Sequence, residues 1–295
     1  MKKMNMNIID DIKLQYKIGG IANKMIYWNV GFFLLSIPLF YQFKLGFFDY
    51  PDWLAVSSEP LVFLYKPWTL LTYAFFHQGF PHLFFNMMVL HFSSRLFLTF
   101  FTQKQYLGLY FLGAIFAGIS FVLSFYLLGN STLLVGASGA IMAILVATTT
   151  YQPFMDIRMP LIGYLKLWHI TAVILLLDLL QIQMSNTNIG GHIAHLSGAL
   201  FGFIYIKLLQ NGTDLSEIVS KTIGFFTNFF KKKQPSTPFK KVHVNPKKPA
   251  ENRPSKIVVK DKTQQQIDEI LDKISQSGYD SLTAEEKEFL FRAGK

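Results

Sequence analysis

Tyr106–Leu128 reads YLGLYFLGAIFAGISFVLSFYLL, a stretch without one charged side chain. A helix crossing the hydrocarbon core of a bilayer needs about 20 mostly apolar residues, so this segment alone points to a membrane span. Its surroundings agree. From Pro67 to Gln210 the only charged residues are Arg95, Lys104, Asp156, Arg158, Lys166, Asp178 and Lys207. A soluble domain could not cover its surface with so few charges, so lipid has to be the outer solvent. Over all 295 residues, 51% are hydrophobic and only 16% are charged, against roughly a quarter charged in soluble domains. These figures exclude a soluble enzyme and a disordered regulator. The absence of cysteine excludes a disulfide-built secreted module and zinc sites built on thiolates.

Six spans are expected, near Met25–Tyr41, Pro81–Phe101, Tyr106–Leu128, Gly136–Thr150, Leu161–Gln181 and Ile193–Leu209. The fold class is therefore an all-α polytopic membrane protein. The first and fourth spans are short, and a short fourth helix would have to start or end inside the bilayer, reached through a buried or wet loop. Lysines and arginines set the orientation. Lys13, Lys17, Lys24, Arg95, Lys104, Arg158, Lys166, Lys207 and the tail fall on one side. The other side has only Lys44 and Lys66 in its first long loop. By the positive-inside rule both termini are cytoplasmic, as an even span number requires. No cleavable signal peptide is expected, because the first apolar run follows a mixed-charge leader, residues 1–24, and lacks a small-residue cleavage site. A bacterial inner membrane fits this better than an organelle.

The loop Gln42–Gln78 is rich in aromatic residues, which places it in the headgroup region. The net charge of +10 does not imply nucleic acid, because 16 of the 28 basic residues lie in the tail after Gln210, beside 11 of the 18 acidic ones. Lys231–Lys233 follow a hydrophobic segment, where such residues set topology or touch anionic lipid. Residues 211–262 read as a basic linker that carries five prolines between Lys232 and Lys262. Residues 263–295 read as a small helical extension: Ile267, Ile270, Leu271 and Ile274 repeat at helical spacing up to Gly278, and Thr283 with Glu286 forms a capping box ahead of Phe289 and Leu290. No partner for this tail can be named from its sequence.

Polar residues at membrane depth are costly and each needs a reason. In Gly136-Ala137-Ser138-Gly139 the small residues serve helix packing on one reading. On the other, Ser138 is a nucleophile whose flanking glycines free amide hydrogens for an oxyanion. In Gly191-His192-Ile193-Ala194-His195-Leu196-Ser197-Gly198, running on to Gly202, the pair Gly198 and Gly202 permits close helix approach. His195 stands about one turn before that contact. If the partner is the fourth span, His195 meets Ser138 and can take its proton; otherwise it is a satisfied buried histidine. His82 and Asn86 share one helix face. Both can donate hydrogen bonds to an oxyanion, whereas Asn is a poor metal ligand. His77 receives no chemical role. Asp178 lies in a different span, seventeen residues before His195, and is read as a helix-facing or interfacial carboxylate, which leaves a serine–histidine dyad as the simpler site.

Taken together, these motifs resemble the rhomboid intramembrane serine proteases, over Trp68–Leu209. The family's His-x-x-x-Asn motif corresponds to His82 and Asn86, and its Gly-x-Ser-Gly motif to Gly136–Gly139. Its Ala-His-x-x-Gly-x-x-x-Gly motif corresponds to Ala194, His195, Gly198 and Gly202, which makes His195 the base and His192 a neighbour. Pro67–Tyr73 is also similar to the family. Two positions depart from it: Met142 stands where an aromatic residue usually stacks on the histidine, and Ser93-Ser94-Arg95-Leu96 replaces a glycine-rich, glutamate-ending segment. The resemblance implies a six-helix rhomboid-like bundle within residues 25–210. It implies a serine endopeptidase cutting transmembrane segments of membrane-anchored proteins, with Ser138 as nucleophile, His195 as base, His82, Asn86 and Gly136 supporting the oxyanion, and no metal or other cofactor. The rivals are an inactive relative that binds membrane clients without cutting them, and a small transporter or channel, which would favour paired charges deep in several spans.

Overall fold

The computed structural model describes residues 8–129, 131–159, 163–184, 188–230 and 262–293. The chain divides into two compact units, Met1–Lys232 and Lys233–Lys295.

The first unit opens with α1 (Ile8–Ile18) and α2 (Gly20–Phe40), followed by the antiparallel pair β1 (Tyr41–Gln42) and β2 (Phe47–Phe48). The segment up to the next long helix holds β3 (Val56–Ser57) and two short helices, α3 (Pro60–Tyr65) and α4 (Thr69–Thr72). Then come α5 (Phe80–Phe100) and α6 (Gln103–Leu128), β4 (Leu133–Leu134), and α7 (Ser138–Tyr151). The hairpin of β5 (Asp156–Met159) and β6 (Gly163–Lys166) leads to α8 (Leu167–Met184), α9 (Ile189–Gln210) and α10 (Ser216–Phe230).

Among the described residues, α5, α6, α8 and α9 are long and apolar enough to cross a membrane. The sequence reading expects six such helices, and two fall short for different reasons. Helix α2 has 21 residues but includes Asn23, Lys24 and Asn29. The Asn29 side chain is buried and turns back to donate to the Met25 carbonyl at 2.8 Å. Helix α7 has 14 residues, about 21 Å at 1.5 Å per residue, against a hydrocarbon core of about 30 Å. The fifth span also starts later than Leu161. Residues Gly163–Lys166 pair with Met159–Asp156, and a Lys166–Asp156 ion pair of 2.8 Å closes the open end of that hairpin. Only from Leu167 is the backbone helical.

Local chemistry accounts for the helix limits. Thr102 and Gln105 form a capping box that starts α6 at Gln103, three residues ahead of Tyr106. The helix ends at Gly129, whose φ of 68° is the left-handed conformation glycine adopts most easily. Helix α7 sits at the centre, with Gly139–Thr148 all buried. The chain that reaches it is not left unpaired: Val56 and Ser57 of β3 bond to Leu134 and Leu133 of β4, and the Gly136 amide donates to the Tyr73 carbonyl at 3.0 Å. Backbone at membrane depth needs such internal partners.

The segment Ser93–Leu96, which lies within α5, acts in packing. Ser93 and Ser94 are fully buried, and the Ser94 hydroxyl bonds to the Tyr106 hydroxyl at 2.9 Å.

Helix α10 corrects the linker assignment, since residues 216–230 pack against α6. Gly108 makes this possible, because a Cβ there would overlap Ser216. Just before α10, Asp214 accepts from the Ser216 amide at 2.9 Å and from Gln105 Nε2 at 3.2 Å. Partial burial raises the Asp214 pKa, but the hydrogen bonds from Ser216 and Gln105 and the charge of Lys104 outweigh it and leave it lowered. A depressed carboxylate stabilises the folded state above its unfolded pKa, and this contribution is lost as pH falls through the folded value. Asp214→Asn, which keeps a capping oxygen but removes the charge, should therefore lower stability by about 0.5 kcal/mol at neutral pH, the scale of a solvent-screened charge interaction. Its melting temperature should converge with that of the wild type in acid, and a deficit that persisted there would remove the electrostatic account.

In the second unit, α11 (Lys262–Ser277) and α12 (Ala284–Ala293) flank a single 3-10 turn at Tyr279–Ser281. The expected capping box is present: the Thr283 amide donates to Glu286 Oε2 at 2.7 Å, and the Glu286 amide to Thr283 Oγ1 at 3.3 Å. Lys273 adds an ion pair to Glu286 at 2.8 Å. Lys231–Lys233 and the proline-bearing stretch lie outside the described residues.

Candidate active site

Backbone packing between α7 and α9 builds the site. A Cβ on Gly198 would overlap the Gly139 carbonyl oxygen, and one on Gly202 would overlap the Ala143 carbonyl oxygen. The two glycines of α9, one turn apart, thus lie directly on two carbonyls of α7, also one turn apart. This is the partner that the Gly198/Gly202 reading requires. It brings the residue one turn before Gly198, His195, to the level of the residue before Gly139, Ser138.

Ser138 is the first residue of α7. Gly136, two residues earlier, has φ of 135°, a region essentially restricted to glycine. Space makes the same demand: a Cβ at Gly136 would lie 2.9 Å from His82 Cε1, 3.0 Å from His82 Nε2 and 3.6 Å from Ser138 Oγ. Gly136 therefore lets the His82 ring and the Ser138 hydroxyl approach the same point. The His82 ring is oriented by a backbone donor, since the Gln78 amide donates to its Nδ1 at 3.3 Å. In neutral imidazole one nitrogen accepts and the other carries the hydrogen, so the hydrogen of His82 is assigned to Nε2, on the side facing Gly136 and Ser138.

Asn86 is buried, and one of its amide hydrogens goes to the His82 carbonyl at 2.8 Å. The other is left for the cleft that Asn86 lines with Ser138, His195, Asp178 and the apolar Ile141 and Met142. This cleft has a volume of about 270 Å³, enough for a short stretch of extended chain. His77 is fully buried, its ring edge-on to His82 with centroids 5.1 Å apart. Burial, and then the proximity of His82, lowers its pKa to about 3, so it is a neutral support for His82.

The structure departs from the sequence reading at Asp178. Its Oδ1 lies 2.9 Å from His195 Nδ1 and 2.7 Å from His192 Nδ1. The separation of seventeen residues is no obstacle, because α8 and α9 pack together. Asp178 stands six residues before the end of α8, and His195 six residues after the start of α9, which puts both on one level of the packed pair. The signal was available as the single acid within a long apolar run. His195 uses Nδ1 for this bond, which directs Nε2 elsewhere. Ser138 and His195 share the cleft without being hydrogen-bonded to each other, a closure that catalytic groups often complete only around substrate.

Asp178, His192 and His195 also form the one group of three possible metal ligands found among the described residues, with ligand atoms within 4.8 Å of one another. His82 and Asn86 do not belong to it.

Residues 65–211, about half of the chain, match the family model of the Rhomboid domain. The chain belongs to the rhomboid family. It is an integral membrane protein of a family associated with intramembrane proteolysis, in which inactive members also exist. The matched region of this rhomboid protein runs from the end of α3 to just past α9, so it contains Ser138, His195, His82 and Asn86. Residues 258–293 match a second model, a family of unknown function (DUF6576), which coincides with α11 and α12. No curated protein matches the chain.

Proposed function

We propose that this rhomboid protein is a serine endopeptidase that cleaves transmembrane segments of other membrane proteins. One observation carries the reading: the seating of Gly198 and Gly202 on α7 carbonyls puts Ser138 and His195 on one cleft. Ser138 Oγ attacks the scissile carbonyl carbon while its hydrogen passes to His195 Nε2. The carbonyl electron pair becomes an oxyanion, received by His82 Nε2–H, the free amide hydrogen of Asn86 and the Ser138 backbone amide. Collapse breaks the C–N bond, and the hydrogen on Nε2 leaves with the amine. Water then releases the acyl group from Ser138 by the same steps.

In this reading α2 and α7 complete a six-helix membrane bundle with both termini in the cytoplasm, of a bacterial inner membrane. Substrates enter as helices that unwind to present an extended segment to the cleft. The α11–α12 unit is a module appended to that membrane domain.

The test is labelling of the purified chain, in detergent or liposomes, with a fluorophosphonate probe. Labelling of the wild type and of His192→Ala, lost in Ser138→Ala and His195→Ala, is the expected pattern. A folded wild type that neither labels nor cuts a model transmembrane substrate would overturn the proposal and leave client binding without cleavage as the function.

A further inference from the structure

We propose that Asp178 is a positioning residue for this reaction: its carboxylate accepts the Nδ1 hydrogen of His195, fixes the tautomer whose Nε2 is free, and steadies the imidazolium formed when Nε2 takes the Ser138 proton. The inference rests on the Ser138–His195 reading above and turns a dyad into a triad.

The argument begins with burial. Only 8% of the Asp178 side chain is exposed, within a helix apolar enough to span a membrane. A carboxylate there needs partners. Its partners are two imidazoles, at 2.7 and 2.9 Å, both on Oδ1. Oδ2 is buried with no hydrogen bond, so Oδ1 alone holds it in register.

Donor chemistry then assigns the tautomers. An ionised carboxylate only accepts, so both Nδ1 atoms carry hydrogens and both Nε2 atoms keep their lone pairs. His82 is set the opposite way, because the Gln78 amide occupies its Nδ1 as a donor. The two histidines of the site therefore receive different chemistry from their neighbours: His82 is a donor through Nε2 and His195 an acceptor through Nε2. These are the states that an oxyanion donor and a general base require.

Charge completes the argument. The titratable groups around His195 are His192 on its own helix, Asp178 on α8 and His82 on α5, while α7 contributes Ser138 and Met142. Asp178 is the single anion among them, in contact with the ring that becomes positive. As Ser138 transfers its proton, the hydrogen on Nδ1 stays with His195 and Asp178 remains ionised. The second imidazole on Oδ1, His192, keeps the carboxylate from swinging away.

Asp178→Asn tests this with the full chain in liposomes, with Ser138→Ala as the zero. Reversing one hydrogen-bond polarity at constant shape should lower kcat for a model transmembrane substrate by at least about a hundredfold, with KM changed by less than about threefold. Unchanged kcat in a folded variant would overturn the proposal. Nitrogen-15 spectra of histidine-labelled wild type, with His195 assigned through its loss in His195→Gln, give a measurement that needs no variant at position 178. Hydrogen on Nδ1 is expected, and hydrogen on Nε2 would overturn the proposal. Zinc or another divalent ion retained stoichiometrically on His192 and His195, and removed by a chelator with a change in activity, would overturn it in favour of a metal site. A wild type that cleaves nothing would instead defeat the underlying protease reading.

Discussion

Ser138→Ala should lower kcat/KM for a model transmembrane substrate by about 10⁴-fold or more, the scale seen when a serine nucleophile is removed from a working unit. His195→Ala should cost nearly as much, and the double variant little more than either single one. The reason is that both side chains serve one step: without the hydroxyl the base has no proton to take, and without the base the hydroxyl stays a weak nucleophile. Losses that multiplied in the double variant would mean that the two residues act independently. The proposed pairing would then fail even if each were essential. The residual rate of Ser138→Ala is informative as well, because His82 and Asn86 remain to polarise a carbonyl in the cleft.

Gly198→Val should reduce cleavage by at least about a hundredfold and also lower the melting temperature. The first added carbon meets the Gly139 carbonyl oxygen, which is backbone and cannot rotate away, so α7 and α9 must separate. A displacement of about 1 Å at reacting groups costs on the order of a hundredfold in rate. Gly202→Val meets the Ala143 carbonyl in the same manner but two turns from His195, so its thermal loss should be similar and its catalytic loss smaller. Equal activity of the two variants would show that His195 does not depend on the nearby contact. Cleavage of one substrate and thermal unfolding monitored on the same preparations decide the matter.

Much of this site was legible in the sequence because its parts are short-range. The spacing of Gly198 and Gly202, and the step from Gly198 back to His195, are helix geometry, readable without knowing the neighbour. His82 and Asn86 follow from the same periodicity. What the sequence conceals is which helices touch. Asp178 is set aside when sequence distance stands in for spatial distance, whereas α8 and α9 pack together and bring residues six from their facing ends into contact. The limits of the fold were legible to a similar degree. Apolar runs locate α5, α6 and α9 to within a few residues. The late start of α8 depends on the pairing of Gly163–Lys166 with Asp156–Met159, which no apolar count registers. Helix α10 is hidden because its seat on Gly108 is a tertiary contact.

The burial of α7 bears on how this protein answers to its lipid. A helix whose residues from Gly139 to Thr148 are covered by other helices has almost no acyl chains against it, so hydrophobic mismatch has little on which to act. Thinner or thicker bilayers tilt and strain the outer helices, while the segment that begins with Ser138 takes its length and height from its protein neighbours alone. Under the proposed function, lipid composition would then govern how a substrate helix reaches the cleft far more than it governs the chemistry inside.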